Sequence, residues 1–118
     1  MQSQGTSKTF NVAAEQKVRA LWKGEVLAES SATIIVEGNH YFPISDVRLE
    51  LLRPSSTHTT CHWKGVASYY DVVIGDQVNT DAAWYYPDPK KAAEPVTDRI
   101  AFWHGVSVVV WSGDPEAV

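Results

Sequence analysis

The chain has 118 residues, enough for one domain whose single core needs no staples. A net charge of −4 and a pI near 5.4, with Lys and Arg scattered singly apart from Lys90-Lys91, leave no basic stripe to gather phosphates, so nucleic acid is not an expected partner. A lone cysteine excludes an internal disulfide framework, and no apolar run approaches the roughly 18 residues of a membrane span; with no apolar leader after Met1, the expected location is cytoplasmic, away from any membrane.

Residues 1–9 are polar and read as a flexible leader to a single domain over 10–111, and residues 112–118 read as a polar tail. Short strands begin near Lys17. Val18, Ala20 and Trp22 alternate with Arg19 and Leu21, Lys23-Gly24 turns the chain, and Glu25 to Ser30 returns as the other arm of a hairpin. Thr33 to Glu37 is richer in β-branched residues. Gly38-Asn39 turns it into His40-Tyr41-Phe42, and Pro43, which has no N–H, ends that ladder.

Ile44 to Val47 has room only for a helical turn, Arg48 to Arg53 fits either a strand or a second turn, and Pro54-Ser55-Ser56 reads as a loop. His58 to Trp63 and Val66 to Ile74 read as extended, as one bent strand or as two. Gly75-Asp76-Gln77 then turns the chain toward Trp84-Tyr85-Tyr86. One helix signature follows: Asp88 as cap, Pro89 at the first helical position, Pro95 as stop. Ile100 to Trp103 and Val106 to Trp111 read as a final pair of strands around His104-Gly105. The prediction is a compact, mostly-β single domain of about eight to ten short strands with one short helix.

Two aromatic stretches stand out as the walls of a site, Thr60 to Tyr70 and Ala83 to Pro89. Lys64, set between Trp63 and Gly65, has three roles open to it: binding an anion, forming a Schiff base if desolvated, or facing solvent at a turn. Trp84 and Tyr85 either stack on a ligand or pack the core. Cys61 has the chemistry of a nucleophile if a cation such as Lys64, or a base such as His58 or His62, lowers its pKa. Strand parity opposes direct contact between Cys61 and Lys64 unless Gly65 or a bulge breaks it, so the expectation is a buried, slow-reacting thiol.

His58, Cys61 and His62 match no standard zinc spacing, and no metal is expected. Nucleotidyl transfer would need paired carboxylates for divalent metal and a phosphate cradle; there is no P-loop and no close Asp-x-Asp pair, with Asp71, Asp76 and Asp81 spaced like loop and edge residues.

Four segments together carry a resemblance: Tyr41-Phe42-Pro43 with Asp46-Val47; Thr60-Cys61-His62-Trp63-Lys64-Gly65-Val66-Ala67-Ser68-Tyr69-Tyr70; Ala82 to Pro89; and Ile100 to Trp103. In this pattern the chain resembles the domain-of-unknown-function 427 family, also catalogued as a nucleotidyltransferase-type domain, over roughly Val18 to Trp111. The resemblance implies a β-tent-like assembly of small coiled antiparallel sheets and no settled activity or cofactor. The four-thiolate zinc site of many β-tent relatives cannot form with one cysteine.

The resulting expectation is a small-molecule-binding domain with its pocket between the Cys61–Tyr70 and Trp84–Pro89 stretches. Trp63, Lys64, Tyr69, Trp84, Tyr85 and Tyr41 would bind an anionic or aromatic ligand, and any chemistry would fall to Lys64 or Cys61. The alternative is a non-catalytic module that meets a protein partner through exposed aromatics, with Lys64 pointing to solvent.

Overall fold

Residues 16–112, the part of the chain described by the computed structural model, contain nine strands in two antiparallel sheets. In chain order the strands are β1 (Gln16–Trp22), β2 (Glu25–Ser30), β3 (Ile34–Val36), β4 (Asn39–Pro43), β5 (Leu52–Cys61), β6 (Gly65–Ile74), β7 (Gln77–Tyr85), β8 (Arg99–Phe102) and β9 (Ser107–Ser112). A three-stranded sheet runs β2-β1-β9 and a six-stranded sheet runs β3-β4-β8-β7-β6-β5. The domain is mostly β, as its alternating pattern implies. The expected leader and all but the first residue of the expected tail lie outside the described residues; Ser112 itself ends β9.

Three local readings are corrected and one left open is resolved. The helix expected after Asp88 is a 3-10 segment, Lys91–Val96, with Lys90 at its N-cap, Pro95 inside it and a kink at Ala93. Two prolines within so few residues remove the donors that an α-helix needs. Pro54-Ser55-Ser56 is not a loop but part of β5, which shifts register between Pro54 and His58 and so tolerates the proline. Arg48 to Arg53 divides between both candidates, with a 3-10 turn at Leu49–Leu51 and β5 starting at Leu52. Lastly, β8 and β9 do not pair. After the His104-Gly105 turn the chain crosses to the other sheet, where β9 runs antiparallel to β1.

The six-stranded sheet has two chemically different faces because successive side chains on a strand point opposite ways. Phe42, Val72, Ala83, Ile100 and Phe102 face the three-stranded sheet and join Val18, Ala20, Leu27 and Ala28 in one buried core cluster. Their immediate neighbours Tyr41, Trp84 and Ala101 turn to the opposite face and join Ala67, Tyr69, Tyr86, Ala93 and Val96 in a second cluster. The register sets these residues side by side: Tyr69 lies opposite Trp84, and Trp84 opposite Ala101. Phe42 lies opposite Ile100, which brings Tyr41 next to Ala101. A small alanine between large rings leaves a depression on that face.

Candidate functional site

The depression is a cleft of about 210 Å³ lined by Glu37, Asn39, Tyr41, Lys64, Tyr69, Trp84, Tyr86 and Trp103. Its floor is aromatic. Trp84 meets Tyr41 edge-on with ring centroids 6.1 Å apart and meets Trp103 edge-on at 5.3 Å, while Trp103 stacks on Tyr69 at 6.4 Å. Hydrogen bonds fix the rings. Trp84 Nε1 donates to Tyr41 Oη at 3.1 Å, Trp103 Nε1 donates to the Asp81 carbonyl at 2.6 Å, and Tyr69 Oη pairs with Thr59 Oγ1 at 2.8 Å.

Lys64 enters this apolar setting because of the turn that carries it. Cys61 pairs with Gly65, closing a three-residue turn over 62–64 between β5 and β6. Gly65 has φ of +116°, a region that side chains rarely adopt, and a Cβ there would lie 3.2 Å from the Asp88 carbonyl oxygen. The segment after β7 clamps the turn from that side: Lys90 N–H donates to the Lys64 carbonyl at 2.9 Å, and Lys90 Nζ donates to the His62 carbonyl at 2.8 Å. So held, Lys64 is only 6% exposed.

The ammonium of Lys64 pairs with the Glu37 carboxylate and lies 5.1 Å from the centre of the Trp63 ring and 5.6 Å from that of Tyr86. Burial acts to lower its pKa, but the Glu37 hydrogen bond, aided by Tyr86, Tyr41 and Cys61 nearby, outweighs burial and holds the pKa above its ordinary value. The lysine is therefore a fixed cation at neutral pH. Glu37 is held below the usual carboxylate range by its hydrogen bonds with Lys64 and then with Trp63, whose Nε1 donates to Glu37 Oε2 at 3.1 Å. Burial pushes the Tyr86 phenol up to about 12, against the opposing charge of Lys64, and raises Tyr41 as well.

Glu37 reaches the cleft from the tip of the β3–β4 hairpin. Glu37 and Gly38 have φ of +54° and +81°, the paired positive values of a tight two-residue turn. The turn thus falls one residue earlier than Gly38-Asn39, and Asn39 begins β4. Thr33 Oγ1 and His40 Nδ1, 2.9 Å apart, brace the base of the hairpin.

Of the residues singled out from sequence, Lys64, Tyr41, Tyr69 and Trp84 line one cleft, while Trp63 is not part of its lining and reaches it through its hydrogen bond to Glu37. Tyr85 does not join them. Strand alternation turns it to the other face, where it stacks on Tyr70 at 4.9 Å and packs against the first core cluster. Cys61 is half-buried rather than buried. Burial acts to raise its pKa, but hydrogen bonding from the backbone of Lys64 and Trp63, with the charge of Lys64 behind it, brings the thiol below its ordinary value. The tight turn supplies the break in parity that the sequence left conditional. His58 Nδ1 lies 3.2 Å from Ser68 Oγ, away from the cleft lining.

Glu37, Asn39, Tyr86 and Trp103 are cleft residues that the sequence reading missed. Tyr86 was legible, since it follows Trp84 by two positions and shares its face. Glu37 comes from the β3–β4 hairpin and Trp103 from the crossover after β8, both remote in sequence, and only the sheet order brings them in. Among the described residues no three of His, Cys, Asp or Glu converge as a metal site. Asp71 and Asp81 hold the β5 irregularity instead: Ser55 Oγ and Thr57 Oγ1 donate to Asp81 at 2.5 and 2.7 Å, and Asp71 accepts from the Asp81 N–H at 2.9 Å.

A mostly-β domain with an aromatic cleft at the turn bearing Cys61, Lys64 and Gly65 is the architecture these observations define. The chain belongs to the family described as a domain of unknown function (DUF427), which it matches over residues 11–113. The family's short label is that of a nucleotidyltransferase-type domain. No curated protein matches the chain. Among the described residues no helix is long and apolar enough to cross a membrane.

Proposed function

We propose that this chain is a small-molecule-binding domain that takes a planar, ring-sized ligand in the cleft between the 62–64 turn, the β3–β4 hairpin and Trp103. The observation that carries this reading is the convergence of five aromatic rings and one buried, carboxylate-paired lysine on a single concavity. A volume of about 210 Å³ falls below the roughly 300–1,000 Å³ of drug-sized sites, which suits a one- or two-ring metabolite. Concavity, with Lys64 in the wall rather than in solvent, favours a ligand over a flat protein-docking patch.

Binding rather than amine chemistry suits Lys64. An ammonium stabilised by a carboxylate is a poor Schiff-base nucleophile, since that role needs a lowered pKa. Nucleotidyl transfer finds little support in a cleft that, among the described residues, has one cation and no carboxylate cluster.

A native mass spectrometry screen of ring compounds, followed by titration, tests the reading. Lys64→Met should fold with little change in melting temperature, because an apolar chain of similar size replaces one partner of an ion pair whose other member is half-exposed. It should lose most of the affinity for an acidic hit. Trp84→Ala should lose both affinity and stability. A hit that binds both variants as tightly as the parent protein sinks the cleft model.

A further inference from the structure

Glu37 is a lining residue with an unusual position. Its two carboxylate oxygens are received separately, Oε1 by the Lys64 ammonium and Oε2 by the Trp63 indole N–H. These two donors form a carboxylate receptor: one charged, one neutral, both set by the 62–64 turn that Gly65 and Lys90 hold in place. The receptor is filled by a carboxylate that comes from elsewhere. Glu37 sits at the tip of a three-residue β-strand hairpin, and its side chain is 50% exposed while that of Lys64 is 7% exposed. A buried cation is thus covered by a half-solvated acid from an edge hairpin, with an aromatic floor beside it.

We infer that Glu37 is an internal stand-in for the ligand's own acid group, and that the cleft takes an aromatic or heteroaromatic monocarboxylate whose carboxylate displaces Glu37 from Lys64 and Trp63. This deepens the small-molecule reading above and rests on it. The ring would lie among Tyr41, Tyr69, Trp84 and Trp103, and the acid would reach the two donors. Charge selects against the neighbouring classes. Among the described residues Lys64 is the only cation lining the cleft, so a phosphate dianion would be left with excess charge next to Glu37. A quaternary ammonium, the usual guest of an aromatic cage, would meet Lys64 already occupying the Tyr86 and Trp63 faces. A carboxylate exchanges one monoanion for another of the same shape and leaves the charge count of the receptor unchanged.

The experiment compares benzoate and indole-3-carboxylate with benzamide, phenyl phosphate and phenyltrimethylammonium by calorimetry, on the full chain and its Glu37→Ala, Trp63→Phe and Lys64→Met variants. The expected order in the parent protein is carboxylate over amide by tenfold or more, with phosphate and ammonium weaker still. Glu37→Ala, which vacates the receptor, should tighten the carboxylates about tenfold and leave benzamide within about twofold. Trp63→Phe should weaken the carboxylates severalfold while the melting temperature holds, and Lys64→Met should erase their preference over benzamide.

Unchanged or weaker carboxylate binding in Glu37→Ala overturns the stand-in role. Equal binding of benzoate and benzamide, or a preference for the phosphate or the ammonium, overturns the carboxylate assignment while leaving a planar-ligand cleft in place. If no ring compound of any charge binds and the library screen is also empty, the underlying small-molecule reading fails instead.

Discussion

The two faces of the six-stranded sheet are built from the same strands by alternate residues, yet they do different work. Facing the β2-β1-β9 sheet, the side chains of Phe42, Val72, Ala83 and Ile100 are aliphatic or phenyl and closed to solvent. Facing the other way, Tyr41, Tyr69, Trp84 and Tyr86 each carry a polar atom, and a lysine and a glutamate sit among them. A purely stabilising core has no use for polar handles that must each find a partner. The difference is that the apolar face holds the domain together, while the aromatic face carries polar atoms that find partners in one another and in the backbone, and it is this face that the proposed ligand would meet.

Substitutions on the first face should strike stability hardest. Phe42 is fully buried and meets Phe102 edge-on at 5.7 Å. Phe42→Ala should cost about 3–5 kcal/mol from lost burial and the cavity left behind. For a domain of this size the melting temperature should fall by well over ten degrees, read by circular dichroism. Because Phe42 shares β4 with Tyr41, a loss of only about 1 kcal/mol would mean that the two faces divide stability more evenly than their chemistry implies.

Gly65 sits where the comparison can be sharpened, since it belongs to the turn that presents Lys64 while packing on the 88–90 segment. Gly65→Ala places a Cβ 3.2 Å from a carbonyl oxygen at a φ that alanine resists. The backbone strain alone is of order 1–3 kcal/mol. The expected result is a smaller stability loss than at Phe42 but a larger loss of ligand affinity, because any relief of the strain moves Lys64. Ligand binding that survives Gly65→Ala at full strength would show that the turn's geometry is not what sets the site.

How much of this was legible follows from the range of the signals. The β1–β2 hairpin, the β3–β4 hairpin and the extended β6 segment are written in local alternation and turn residues, and they read through correctly but for a one-residue turn offset. Lys64, Tyr69 and Trp84 could be grouped from two aromatic stretches joined by a turn at Gly75-Asp76, but the register of β6 on β7 that places Tyr69 opposite Trp84 is not written in either stretch. Tyr85 shows the hazard: adjacent to Trp84 in sequence, it lies on the opposite face, a distinction that strand parity alone supplies. Glu37 was invisible for another reason. Its role depends on β4 pairing with β8 rather than with any strand next to it in sequence apart from β3, which brings one hairpin tip over a turn 27 residues away.

The smallest expected effect concerns that hairpin tip and depends on pH. Glu37 is held below its ordinary 4.5, so its pairing contributes stability that is present above 4.5 and is lost as pH falls through the lowered folded value. Lys64 is held above its ordinary 10.5, so its share is fully present below 10.5 and is lost only as pH rises through the raised value. Between these limits the pair contributes a constant amount, and neither group adds any slope near neutrality. Because Glu37 is exposed to water, its acid limb should be shallow. Measured as melting temperature from pH 3 to 7, Glu37→Gln should flatten the decline below about pH 4.5 relative to the parent protein, with no difference in slope from pH 6 to 7. Substitution at Phe42 should lower the whole curve without changing its shape. If Glu37→Gln leaves the acid limb as steep as before, the Lys64–Glu37 pair contributes nothing to the folded state, and the aromatic face holds its lysine by packing alone.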